Sequence, residues 1–381
     1  MLTALIFRER LLAPSETFIT EQARALRRYR PVLAGLRRTK PNLCHSLPEV
    51  LLRNGDGAID KLAANLYRRF PFANSFFERL RGEDPSSIHA HFAVDAVQAL
   101  PIARALKLPL VVSLHGFDVT STERSLSRSN SGRHYWKHRE RLFAEASAFI
   151  CVSDFVRRAA LKVGFPEHKL HVHYTGIDCG RFQAANAERD PKLILFVGRL
   201  VEVKGCEYLL RAMEQVQRHD TEAHLEIIGD GPLRAKLERT AAELSLRVSF
   251  RGVQSSDEVL RSMSRARVLC NPSAMASTGD MEGFGMVFAE AQAVGTPVVS
   301  FLHAGIPEAV NHGETGLLCA EGNVAKLAEA LVTLLADDAL WSKMSERAQQ
   351  WVRERFDISK QNESLESFYD DCVALYRRTN Q

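Results

Sequence analysis

The sequence has no cysteine pair spaced C-x-x-C, no apolar run long enough to cross a membrane, no complete G-x-G-x-x-G and no low-complexity tract. Its seven cysteines (Cys44, Cys151, Cys179, Cys206, Cys270, Cys319 and Cys372) are odd in number and scattered. That excludes a disulfide framework or a zinc ribbon and reads as reduced core thiols. Met1 to Phe7 is apolar, but Arg8, Glu9 and Arg10 end the run. It is too short for the h-region of a signal peptide or for a span of about 20 residues, so a cytoplasmic protein is expected. The missing dinucleotide fingerprint argues against a dehydrogenase.

What is present is a globular composition, with 45% hydrophobic and 25% charged residues over 381 positions. That length suits two domains of roughly 150 to 200 residues each. Net charge is only +4, yet residues 1–185 hold 28 Lys and Arg against 17 Asp and Glu, while 186–381 hold 22 against 29. A basic half suits nucleic acid, anionic lipid or a phosphorylated substrate. Without a recognisable recognition module, nucleic acid is not expected.

Short Val-, Ile- and Leu-rich runs alternate with helical patterns: Leu108–Leu114, Ala148–Val152, Leu193–Val197, Leu225–Ile228, Val268–Cys270 and Pro297–Phe301. Runs of this kind predict strands buried on both faces, hence parallel sheets in an α/β architecture. The polar stretch between Thr175 and Pro191 coincides with the change in charge balance. It predicts a first domain over 1–185 and a second from 186.

In such sheets ligands bind beyond the carboxyl ends of strands, where loops enter helices. Four segments fit that position. In Glu282-Gly283-Phe284-Gly285 the glycines let backbone amides approach a ligand, and the predicted helix from Met286 would turn its first N–H groups toward a diphosphate. Glu290 lies about 7 Å along that helix, a depth that suits a ribose diol. Glu282 is placed for sugar hydroxyls, although solvated charges at both positions would fit the spacing equally well. After Leu193–Val197, Arg199 and Lys204 can clamp two phosphates. Gly229-Asp230-Gly231-Pro232 reads as a tight turn or a wall of a base pocket, and the backbone at Val253 can bond a base. His115-Gly116-Phe117-Asp118 follows Leu110–Leu114. His89 and His91 alternate on one strand and share a face, and no third ligand accompanies them. No metal site or cofactor is expected.

These segments resemble, in this order, the retaining GT-B glycosyltransferases of family 4. The likeness runs from about residue 88 to 335 and is most specific in the second domain. It also takes in Gly176-Ile177-Asp178 with Arg181-Phe182, Gly305-Ile306-Pro307-Glu308, and Gly313 with Thr315-Gly316-Leu317. It implies two Rossmann-like domains, 1–185 and 186–355, with a helix over 356–381 returning to the first. It implies His115, Glu282, Arg199 and Lys204 as the catalytic set, and a donor site of Arg199, Lys204, Gly231, Val253, Glu282, Gly283, Phe284, Gly285 and Glu290. The chain contains no Asp-x-Asp, the usual handle for a divalent ion on a sugar nucleotide, so metal-independent transfer of a hexose from a UDP- or GDP-sugar is expected.

The resemblance departs after the first strand, where many members carry Gly-Gly and this chain has Pro14-Ser15-Glu16-Thr17-Phe18-Ile19, a stretch similar to the bacterial exopolysaccharide branch. Ser15, Thr17 and Asp118 are the candidate acceptor or phosphate loop, with a helix cap by Ser15 as the plain alternative. The mixture of Phe70, Phe72, Phe76, Phe77 and Leu80 with Arg68, Arg69, Arg79 and Arg81 fits docking on an anionic membrane that carries a lipid-linked saccharide acceptor, with a packed helix pair and a solvated outer face as the plain alternative. Arg24, Arg27, Arg28, Arg30, Arg37, Arg38 and Lys40 would widen that patch. A sugar-nucleotide epimerase, a phosphorylase and a non-catalytic nucleotide-sugar binding protein are the competing functions.

Overall fold

A computed structural model describes residues 1–13, 16–39, 46–71, 73–182 and 188–379. Cys44, Lys40, Phe72 and Ser15 lie outside them. The chain divides into two compact units, 1–176 with 358–381, and 177–357.

Among its described residues the first unit holds seven strands: β1 (Leu2–Leu11), β2 (Tyr29–Arg38), β3 (Glu49–Leu51), β4 (Pro85–His91), β5 (Leu110–Leu114), β6 (Ala148–Cys151) and β7 (Leu170–Val172). They pair in parallel in the order β3-β2-β1-β4-β5-β6-β7. The second unit holds β8 (Asp190–Val197), β9 (His224–Ile228), β10 (Val248–Gly252), β11 (Ala266–Cys270), β12 (Val298–Leu302) and β13 (Gly316–Ala320), again parallel, in the order β10-β9-β8-β11-β12-β13. Strand order therefore reverses between β1 and β4 in one sheet and between β8 and β11 in the other. A crevice for ligands opens at such switch points. Ile194, Phe196, Leu225, Ile227, Val268, Val299 and Phe301 are buried in the second core, as their continuous apolar runs require.

The passage between the units falls at Gly176, earlier than the change in charge suggests. The Ile177 N–H donates to Phe356 O at 2.6 Å, and Ile177 bridges to Asp357, which ties 177–182 to the second unit. The helix Asp338–Arg355 stays with that unit, its Trp351 Nε1–H donating to Ala309 O.

The last helix, Ile358–Thr379, belongs to the first unit. Leu365 and Tyr369 enter its core beside Ile6, Leu33 and Val111. Glu366, 3% exposed, accepts the backbone N–H groups of Arg27, Arg28 and Tyr29 at 2.8, 2.6 and 3.1 Å through one oxygen. A carboxylate removed from water persists only when bonded in this way.

The expected membrane patch is redistributed by packing. Phe76, Phe77 and Leu80 are core residues, and the two phenyl rings lie edge-on to Tyr67. Arg68 pairs with buried Glu9, Arg37 with Asp56 and Arg38 with Glu49. Of the expected aromatics Phe70 (55%) is exposed, and it is joined by Ile59 (70%), Leu62 (58%) and Leu66 (52%) along the helix Ala58–Arg69. Among the described residues no helix is long and apolar enough to cross a membrane.

Replacing Glu366 by Ala strands three backbone donors at once. We expect a loss of about 1–3 kcal/mol, read as a lower urea midpoint. Glu366→Gln, which keeps one acceptor oxygen, should lose less.

Candidate active site

In the second unit the loops after β8 and β11 flank the switch point. Buried Asn271, just past β11, clasps the end of β8: its Nδ2 donates to Val197 O at 2.9 Å and its Oδ1 accepts Val197 N–H at 3.3 Å. The 3₁₀ turn Glu202–Lys204 then delivers Lys204, whose Nζ lies 2.6 Å from Glu282 Oε2. The Ser273 hydroxyl donates to the same oxygen at 3.1 Å. Burial raises the affinity of Glu282 for a proton, but the Lys204 ammonium, its hydrogen bond and the Ser273 hydroxyl outweigh it and hold the carboxyl below its ordinary range. Glu282 is therefore an anion at neutral pH. The Arg199 side chain is exposed and makes no hydrogen bond or ion pair with a described residue, and its field acts on Asp280.

Asp280 went unassigned in the sequence. Burial first, then the nearby Glu282, raise its pKa, while Arg199 and Lys204 oppose that shift. It thus shares the field of the Arg199–Lys204–Glu282 group. Its position two residues before Glu282 was the available signal.

The loop 282–285 is seated on a second turn, where Gly305 N–H donates to Glu282 O at 3.0 Å. A Cβ at Gly305 would overlap Gly283 O, so only glycine permits this approach. Phe284 is 3% exposed, its ring edge-on to Phe356 at 5.1 Å, so its side chain packs the core. Gly285 is left-handed (φ 84°) and starts the helix Met286–Ala293, whose N-terminus no side chain caps. Positive potential and N–H groups at such an end attract anions. Glu290 is half-buried on this helix. At Gly231 a Cβ would come within 2.5 Å of Leu200 O, so this glycine closes a turn against the Arg199 loop. Val253 stands 67% exposed after β10.

In the first unit His115 follows β5 and is enclosed by Phe18 and Phe92, with ring centroids 5.1 and 4.4 Å away. Phe92 holds a strained backbone (φ 69°, ψ 130°), and the Arg8 guanidinium lies 4.4 Å over its ring. Arg8 is itself held by Asp95 at 2.6 Å and Glu16 at 2.5 Å. Burial, then the Arg8 charge, lower the His115 pKa to about 3, so its imidazole is neutral at physiological pH.

Asp118 is 2% exposed and fully occupied. It accepts Ala93 N–H at 2.9 Å and the His115 and Gly116 N–H groups at 3.1 Å each. It shapes the turn that carries His115 rather than lying open to an acceptor. Thr17 starts the helix Thr17–Arg24 and is partly exposed, with Glu16 in the capping position. His89 and His91 do share a face, 4.4 Å apart.

Comparison with known proteins converges on one family. The model for "Glycosyltransferase Family 4" matches residues 15–181 and that for "Glycosyl transferases group 1" matches 181–351. "Putative colanic acid biosynthesis glycosyltransferase WcaL" of Escherichia coli (strain K12) is 31% identical over 73% of this chain and 68% of its own length. The "Amylovoran biosynthesis glycosyltransferase AmsK" of Erwinia amylovora is 31% identical over 66% of this chain and 61% of its own. Anabaena HepE, crystallised with UDP and glucose, superposes with a TM-score of 0.77 at 20% identity, over 97% of this chain and all of that one. Sucrose-phosphate synthase from Thermosynechococcus elongatus gives 0.79 at 19%, over 98% and 100%. The tandem family matches, together with a 31% identical relative covered over two thirds of its length, make this chain a GT-B glycosyltransferase of family 4, the glycosyl transferases group 1.

Proposed function

We propose that the enzyme transfers a hexose from a UDP- or GDP-sugar, with retention of anomeric configuration and without a metal, to a hydroxyl of a lipid-linked saccharide in bacterial polysaccharide synthesis. The observation that carries this reading is the Lys204–Glu282 pair beside the uncapped start of the helix Met286–Ala293. Cation, carboxylate and backbone donors meet where a phosphorylated sugar needs all three. The names of WcaL and AmsK, both of polysaccharide biosynthesis, and the UDP and glucose in HepE support the substrate class.

In this reading Lys204 and Arg199 neutralise the diphosphate, together with the Gly283 and Gly285 amides. Glu282, held as an anion, accepts hydrogen bonds from the transferred sugar, Glu290 from the ribose diol, and the Val253 backbone pairs with the base. The bond from the anomeric carbon to phosphate breaks with its electrons going to the phosphate oxygen. Cations aimed at that oxygen lower the barrier most as its charge develops. The acceptor hydroxyl attacks the same face and passes its proton to the departing phosphate. His115, as a neutral imidazole, lies against the donor sugar without adding a positive charge to one already forming.

Lys204→Ala leaves a buried carboxylate unpaired. It should lower stability by about 3 kcal/mol as well as turnover. The double variant Lys204→Met with Glu282→Gln should recover the stability, measured by urea unfolding, but not the turnover, and recovered turnover would refute the assignment. Activity should persist in EDTA; loss that Mg²⁺ or Mn²⁺ restores would overturn the metal-free reading.

Glu290→Ala is expected to weaken UDP or GDP binding about tenfold by calorimetry, since one charge-assisted bond contributes on the order of 1.5 kcal/mol. An unchanged affinity removes its ribose role.

The membrane face in this proposal is Ile59, Leu62, Leu66 and Phe70, rimmed by exposed Lys61 and Arg69. An apolar stripe with a basic border suits an anionic bilayer surface. The protein should co-sediment with phosphatidylglycerol vesicles at low salt, and serine at positions 59, 62 and 66 should abolish this. Binding that ignores both lipid charge and these substitutions sinks the idea.

A further inference from the structure

His91 is 1% exposed and lies between two other imidazoles. Its ring is 4.4 Å from that of His89 on the same strand and 5.3 Å from that of His115 just after β5, nearly parallel to the latter at 27°. Its Nδ1 lies 3.1 Å from His115 Nε2, and its own Nε2 is buried with no hydrogen-bond partner among the described residues. His89, by contrast, uses both nitrogens, Nδ1 with the Tyr369 hydroxyl at 2.5 Å and Nε2 with the Ser113 hydroxyl at 2.7 Å.

Both rings of the His91–His115 pair are kept neutral by burial, and the Arg8 cation adds to this. Each therefore carries one proton, and a single hydrogen bond joins them. Two arrangements satisfy that count. If His115 Nε2–H donated, His91 would have to carry its own proton on Nε2, leaving an N–H buried with no acceptor. If His91 Nδ1–H donates, the unpartnered atom is a bare nitrogen. Orphaned buried N–H groups are the rarer and costlier case.

We infer that His91 is a positioning residue, whose Nδ1–H bond to His115 Nε2 fixes His115 in the neutral form protonated on Nδ1. The His115 Nε2 lone pair is then occupied and is not available to take a proton from an acceptor hydroxyl. His115 offers an N–H edge, with its ring orientation set by the partner, as a fixed tautomer requires. The Asp118 carboxylate holds the backbone of the same residue through His115 N–H and Gly116 N–H, so ring and main chain are fixed separately. The catalytic consequence rests on the reading of His115 as the residue against the donor sugar; the tautomer does not.

The test uses full-length protein labelled with ¹⁵N-histidine and long-range ¹H–¹⁵N correlation, with the His115 signals assigned by their loss in His115→Gln. We expect a protonated, pyrrole-type Nδ1 and a bare, pyridine-type Nε2. His91→Phe should remove that preference, and His91→Asn, which places an amide N–H where Nδ1 stood, should restore it. A wild-type proton on Nε2, or a tautomer indifferent to His91→Phe, overturns the inference. In turnover, His91→Phe should lower kcat at least about tenfold, with the donor KM within about twofold, as a wrong tautomer does in other imidazole sites. His91→Asn should recover most of it. If His91→Phe fails to fold, the wild-type spectrum and His91→Asn still decide the tautomer. The predicted tautomer combined with full activity in His115→Gln would remove the donor role of His115 and leave the positioning by His91 standing.

Discussion

Parallel pairing is the constraint on which everything else depends. Every strand of each sheet runs with its neighbours, so in each unit all the carboxyl ends, and the loops that leave them, gather at one edge. The reversal of strand order then splits those loops apart at one place per sheet. In the second unit that place lies between β8 and β11, and it is why Arg199 and Lys204, far from Glu282 in sequence, reach the same loop cluster. In the first unit it lies between β1 and β4, where Arg8, Phe92 and the histidines collect.

Crowding charge at a switch point carries a desolvation penalty, and the two units meet it differently. Around Glu282 the charge is balanced by a cation and a hydroxyl, Lys204 and Ser273, which leaves an anion held in place. Around His115 the buried imidazoles stay neutral, because burial penalises a charged ring and the Arg8 cation adds to that penalty. Asp118 and Glu366 show a third solution, a carboxylate saturated by backbone N–H groups. These two shape the fold rather than the chemistry. A buried polar residue in this chain cannot be assigned a catalytic part from its type alone.

The strands rich in Val, Ile and Leu were legible because burial on both faces leaves an uninterrupted apolar run. β2 was not, since Pro31, Gly35 and its closing arginines disguise it as a basic surface segment. Arg37 and Arg38 find Asp56 and Glu49 only once that strand has paired. The aromatic run near Phe76 misled for the related reason that helical spacing does not say which face meets the core. Burial of Phe76 and Phe77 leaves Ile59, Leu62 and Leu66 outside instead.

By itself the sequence determined the α/β class, the two-domain plan and the donor-loop candidates, because these reside in local patterns: apolar runs, glycines beside helix starts, and cations after a strand. Only the tertiary structure decided which candidates share a field. It joined Lys204 to Glu282, drew Asp280 in beside them, turned Phe284 and Asp118 to packing and turn-holding, and set His91 against His115. Those outcomes depend on strand order, since residues on neighbouring strands touch whatever their separation along the chain.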